Sequence, residues 1–199
     1  MALKFQYNKN ALQDLKRQLS IRERALPILK SKETALRHEV QVLQRTLKSL
    51  EEEQRELDLL QQKYRRFWAE FPGILVMDPL EEQLKNVVGV KVPHIEKVEF
   101  TLRDMSRFNL PAWVPAGIEI LQGILRLQVE IEYARKQMEV LYTARKKTTQ
   151  KVNLYEKVQI PAYEEAIIKI KRFLEDKDNI SKAAQKIVKK RNEQKPVPA

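Results

Sequence analysis

Starting at Leu12, a strict alternation of three- and four-residue steps lands on Leu15, Leu19, Arg22, Leu26, Leu29, Glu33, Leu36 and Val40. It continues through Leu43, Leu47, Leu50, Gln54, Leu57, Gln61, Tyr64 and Trp68. Thirteen of those seventeen positions are apolar or aromatic, and the residues between them are mostly Lys, Arg, Glu and Gln. This period holds one narrow stripe toward a partner helix, whereas the helix of a globular domain shows a wider apolar face and drifts out of phase. At the α-helical rise such an arm would be roughly 85 Å long. That is too long for a compact fold of 199 residues.

A second arm follows Pro115-Ala116-Gly117. Its stripe runs Ile120, Ile124, Leu127, Ile131, Ala134, Met138, Leu141, Arg145, Thr148, Val152 and Tyr155, with nine of the eleven apolar when Ala and Tyr are counted. Beyond Pro161 the stripe resumes out of phase, at Tyr163, Ile167, Ile170 and Leu174. Leu141, Val152, Tyr163 and Leu174 fall eleven apart, a spacing that relaxes left-handed supercoiling. Between the arms the helix breakers gather. All four glycines lie between Gly73 and Gly123, five of the nine prolines lie between Pro72 and Pro115, and the only interior breakers elsewhere are Pro27 and Pro161.

These patterns predict a mainly all-α fold. A long antiparallel two-helix coiled coil should carry a small irregular middle subdomain containing a short β-hairpin. Residues 1–70 form the N-terminal coiled-coil helix, 71–116 a foot, and 117–199 the C-terminal helix and tail. The hairpin is expected near 87–102, with Val87–Val92 as one strand, Pro93-His94 as the break and Val98–Leu102 as the other. A turn of helix is expected near Pro79–Leu84, and the foot should pack around Phe71, Trp113 and the Val87–Val92 strand. Antiparallel register places Pro27 opposite residues near 158–163, so the two prolines would share a bend.

Residue types that are absent exclude much chemistry. With no Cys there is no disulfide framework, thiolate metal site or cysteine nucleophile. The two histidines, His38 and His94, could supply at most half of a tetrahedral metal site. His38 lies opposite the Leu36/Val40 stripe and reads as a solvated surface residue, while His94 reads as a turn residue. Glu51-Glu52-Glu53 points in three directions on a helix and reads as a solvated face. The glycines never approach phosphate-loop spacing. No catalytic, cofactor-binding or metal-binding residue is assigned, and no cofactor is expected. With no apolar run of membrane-spanning length and no secretory leader at Met1-Ala2-Leu3-Lys4-Phe5, the expectation is a cytoplasmic chain.

Charge is uneven. Residues 1–50 carry 11 basic and 4 acidic groups, residues 51–100 carry 7 and 11, and residues 151–199 carry 12 and 7. A hairpin of two arms gathers both termini into a basic tip. At that tip Ile180, Ala183, Ala184, Ile187 and Val188 form an apolar helical stripe, flanked by Lys182, Lys186, Lys189, Lys190 and Arg191. Past about residue 184 little or no N-terminal arm is left opposite, and Met1–Tyr7 covers at most part of the stripe, so a partner is expected there, and the free tail is expected to fray. In the foot, Gly89, Val90, Pro93 and Trp113 are candidate partner contacts, because so short a segment buries its apolar side chains poorly by itself. A basic coiled-coil arm that binds nucleic acid or an anionic membrane surface also accounts for length and charge. It leaves the mid-chain hairpin and its Pro/Gly-rich surroundings without a role.

Three segments resemble the D subunit of the V-type and A-type rotary ATPases. The first contains Leu12, Leu15, Lys16, Arg17, Leu19, Leu29, Lys30, Lys32 and Leu36. The second is Asn86-Val87-Val88-Gly89-Val90-Lys91-Val92-Pro93, similar to an N-x-x-G-V-x-x-P stretch. The third joins Val152-Asn153, Glu156, Ile160-Pro161, Glu164, Ile167 and Ile170, like a V-N-x-x-E-x-x-x-I-P-x-x-E run. Departures are Glu33-Thr34, where Arg-Asp is usual, Pro27, and a short tail. The resemblance implies a non-catalytic central rotor shaft, peripheral to a membrane. It would stand inside a ring of catalytic A and B subunits, bind the F subunit at its side, and seat its lower end in the funnel-shaped C/d subunit above the membrane ring. No nucleotide, nucleic acid or membrane would be contacted directly. Such a shaft serves ATP synthesis or the transport of hydrogen or sodium ions.

Overall fold

The structure, a computed structural model, describes residues 5–103 and 111–193. In chain order it contains α1 (Lys9–Lys63), α2 (Arg65–Ala69), β1 (Leu75–Met77), β2 (Glu82–Val87), β3 (Val90–Ile95), β4 (Phe100–Leu102) and α3 (Val114–Leu154). A π-helical turn (Tyr155–Gln159) and α4 (Ile160–Glu193) complete it. The fold is mainly α, coiled-coil helices with a small β region, as the heptad stripes predict. The chain divides into two compact units, one made of Met1–Ser31 with Thr148–Ala199 and the other of Lys32–Lys147.

In the first unit α1 begins at a side-chain cap. Asn8 Oδ1 accepts the Ala11 N–H at 2.6 Å, which satisfies one of the free donors of the first turn. The helices run antiparallel. Tyr7 meets Phe173 with ring centroids 5.0 Å apart, Arg22 Nε donates to Gln159 Oε1 at 2.7 Å, and Lys30 Nζ bonds Glu156 Oε1 at 2.6 Å. Thr148, Ala166, Ile167 and Ile170 are buried there. The π-turn explains the phase change in the sequence. Ile160 N–H donates to Tyr155 O, five residues back, so the helix holds one residue more than α geometry allows. One extra residue moves the buried stripe from the phase of Val152 and Tyr155 to that of Tyr163, Ile167 and Ile170. Where the shared bend was expected the structure has a π-turn just before Pro161, and Pro27, between Arg22 and Lys30, lies across from it.

In the second unit Leu36 and Val40 are the buried residues of α1, and they pack with Leu141 of α3 and Val92 of β3. Leu43, Val140 and Ala144 complete this core, in the register the stripes predict. Arg135 reaches Glu51 at 2.8 Å and confirms antiparallel pairing of α1 with α3.

The β region departs from expectation. β2 and β3 form the hairpin, pairing from Glu82↔Ile95 to Val87↔Val90, so the turn is Val88-Gly89 rather than Pro93-His94. Both turn residues have positive φ, 52° and 72°, as a two-residue hairpin of matching twist requires. Strand β2 takes the second half of the stretch Pro79–Leu84 where a helical turn was expected, and residues 79–81 are not helical either. Phe100–Leu102, expected as the second hairpin strand, pairs instead with Leu75–Met77 in a separate two-stranded sheet. The pair flanking a two-residue turn is hydrogen-bonded, and bonding alternates outward along the ladder. Leu84↔Pro93 is therefore a non-bonded pair, and the absent N–H of Pro93 costs the hairpin nothing.

Candidate partner-binding surfaces

The hairpin is fastened to the helices at three points. Its valines enter the Leu36/Val40 core, Gln137 Nε2 donates to Pro93 O at 2.7 Å, and the Tyr133 hydroxyl donates to Glu82 Oε1. That last bond, reinforced by burial, holds the Tyr133 phenol above its ordinary value of 10.0. Of the candidate residues in this part, Gly89 is exposed, Val90 packs half-buried against the core, and Pro93 is half-buried with its carbonyl already used. A Cβ at Gly89 would come within 3.4 Å of Lys32 Nζ.

Trp113 lies elsewhere. Its ring centroid is 5.6 Å from Phe67 and 6.2 Å from Phe71, and Phe71 is 6.1 Å from Trp68. The foot expected around Phe71, Trp113 and Val87–Val92 is therefore two places. The valines find cover on the Leu36/Val40 face, and the aromatics cluster where α1, α2 and α3 have their ends. Between them Tyr64, Phe67, Trp68, Trp113, Gly117 and Ile120 line an open apolar cleft. Tyr64, Phe67 and Ile120 are about half exposed, and Trp68 Nε1 is buried without an acceptor among the described residues. Sequence reasoning placed Tyr64 and Trp68 on the coiled-coil stripe and overlooked Phe67. The signal was there in the spacing of Tyr64, Phe67, Trp68 and Phe71, a single aromatic face of a helix.

The other surface belongs to α4. From Glu175 to Arg191 every side chain is exposed. Ile180, Ile187 and Val188 expose 70%, 62% and 57% of their surface, so the predicted stripe is present on a regular helix and uncovered among the described residues. Ala183 and Ala184 continue it, and Lys182, Lys186, Lys189 and Lys190 share the exposed helix. Charge follows the division of the chain. The unit holding α4 carries 19 Lys and Arg against 9 Asp and Glu, and the other carries 19 against 18.

His38 and His94 are both exposed, Glu51 is engaged by Arg135, and no cluster of potential metal ligands forms among the described residues. No helix among them is long and apolar enough to cross a membrane.

A family model described as the D subunit of ATP synthase matches residues 11–190. The V-type ATP synthase D subunit of Borreliella burgdorferi is 31% identical over 190 residues, 94% of each chain. That of Chlamydia muridarum is 26% identical over 203 residues, 98% of each chain. That of Chlamydia abortus is 26% identical over 201 residues, 98% of this chain and 97% of its own. A match that runs from the first turn of α1 almost to the end of α4 covers both units and both surfaces, and the chain belongs to the ATP synthase D-subunit family.

Proposed function

We propose that this chain is the central rotor shaft of a V-type ATP synthase, a non-catalytic subunit that carries torque between the catalytic ring and the ion-transporting membrane ring. Family membership makes it a subunit of a rotary ATPase. The shaft role rests chiefly on the α4 stripe. Two isoleucines and a valine left open on a lysine-rich helix call for a sleeve that is apolar where it touches and acidic at its rim. In this reading the stripe Ile180, Ala183, Ala184 and Ile187, with Lys186, Lys189 and Lys190, enters the ring of catalytic A and B subunits. An asymmetric shaft in a three-fold ring shows each catalytic interface a different face, so rotation changes nucleotide affinity at each in turn.

At the other surface the cleft beside Trp113 suits the funnel-shaped C/d subunit above the membrane ring. The hairpin at Gly89, Val90 and Pro93 suits the F subunit on the side. The assembly would place the chain on the cytoplasmic side, peripheral to the membrane. Co-expression with A and B subunits tests the reading. The full chain should co-purify with the ring and couple ATP hydrolysis to ion transport, and a chain ending at Asp178 should lose coupling. Normal coupling by the truncated chain would remove the tip from the mechanism. Strong, salt-sensitive binding of DNA or RNA without ring assembly would favour a nucleic-acid arm instead.

A further inference from the structure

The V-N…E…I-P…E run that carries much of the family resemblance folds around the π-turn, and three observations make that turn unlike its surroundings. First, backbone bonding is thin on both helices at this height. Pro161 offers no N–H to the carbonyl four residues back, Pro27 withholds one on α1, and the π-turn closes through longer rings. Second, packing is thin. No residue of the π-turn is buried, and Leu26 and Leu29, the stripe residues of α1 on either side of Pro27, are only half-buried. Buried side chains return only at Thr148 on one side and at Ala166, Ile167 and Ile170 on the other. Third, polar contacts hold the layer where apolar ones are scarce. Arg22, on the apolar stripe of α1, sits over the Tyr163 ring at 4.5 Å and the Tyr155 ring at 5.9 Å while its Nε bonds Gln159. Its Nη1 donates to Gln18 O and Oε1, and Lys30 holds Glu156.

We propose that Tyr155–Gln159, with Pro27 across from it, is a joint at which the helix beyond Ile160 bends and twists as one piece. Arg22 is the positioning residue that sets its rest position. A layer with few buried apolar contacts and missing backbone bonds opens at lower free energy than the packed layers beside it. Cation–π and amide contacts tolerate sliding that interlocked side chains do not. Arg22 grips both flanks of the inserted residue, Tyr155 before it and Tyr163 after it, so it is placed to report and restrain their relative turn. The joint is a property of this chain and stands apart from the shaft reading. Within that reading, it lets the α4 stripe change direction while the end of α3 stays fixed.

The test uses the full isolated chain, so its failure is distinct from failure to assemble with a ring. Amide hydrogen exchange at 155–163 should run roughly tenfold or more faster than at 166–174. Removing Val158, an exposed residue, deletes the one residue that the π-turn inserts and leaves the stripe in phase on both sides. Exchange at 155–163 should then fall to the level of 166–174 with helicity unchanged. Arg22→Met keeps an apolar stem and should speed exchange at 155–163 alone. The chain has no cysteine, which permits clean spin labelling. Labels at Lys151 and Lys169, across the joint, should give a broader distance distribution than labels at Glu164 and Lys182, equally far apart in sequence on α4. Equal widths in the two pairs, or protection at 155–163 equal to that at 166–174, would overturn the proposal even if the deletion fails to fold.

Discussion

Val88 holds a φ of 52°, a region that L-residues enter at a cost and β-branched ones least readily. Its side chain is drawn there by the Leu36/Val40 core, against which it packs. That is why the turn was invisible in the sequence. A valine between valines reads as strand, and only tertiary packing makes it the first residue of a turn. Gly89 at φ 72° was the legible half of the pair. Gly89→Ala should destabilise the chain by roughly 1–2 kcal/mol through backbone strain, measurable as a lower urea midpoint. Tyr133→Phe should cost roughly 1–3 kcal/mol at neutral pH by deleting the bond to Glu82. The folded phenol titrates above its ordinary value of 10.0, so its stabilisation is fully present below that value and is lost as pH rises through the higher folded one. The gap between wild type and Tyr133→Phe should therefore be flat through neutral pH and close only in the alkaline range. A gap that closed near pH 7 would contradict the assignment.

At the scale of elements, the stripes on α1 and α3 were legible along most of their length, because a sustained heptad leaves one solution for which face is covered; they failed at Tyr64 and Ile120, which line the aromatic cleft instead. The π-turn was half legible: its phase shift is printed in the spacing of Tyr155 and Tyr163, but periodicity alone does not say where an extra residue is stored. The docking site of the hairpin was illegible, since any apolar face could have received Val87–Val92. The same stripe is unevenly loaded. Leu36 is fully buried where the hairpin covers it, while Leu29 is only half-buried. Leu36→Ala should therefore cost roughly 2–5 kcal/mol, near the full cavity penalty, and loosen the hairpin as well. Leu29→Ala should cost distinctly less. Thermal unfolding followed by circular dichroism, with exchange at 82–95 as the readout of hairpin docking, separates the two effects.

For the whole molecule, the excess of basic residues in the unit holding α4 would make entry into the proposed ring, if its rim is acidic, a salt-dependent process. Reversing Lys186, Lys189 and Lys190 to Glu should slow assembly by roughly tenfold or more at low salt and by much less at high salt, without changing helicity. A salt-independent loss would point to packing rather than steering. The two sheets bear on how the free chain behaves before it meets any partner. Strand edges invite further strands, and this hairpin answers differently on its two sides. Along β3, Pro93 presents no donor outward and its carbonyl is taken by Gln137, so the outward row is interrupted between Lys91 and Ile95. Along β2 the outward backbone groups belong to Glu82, Leu84 and Asn86, with Leu84 69% exposed and charge only at Glu82 and Lys85. The hairpin is thus a lopsided template. An extended segment, native or errant, meets an unbroken row of donors and acceptors only along β2, where a single added lysine in place of Leu84 would blunt that edge.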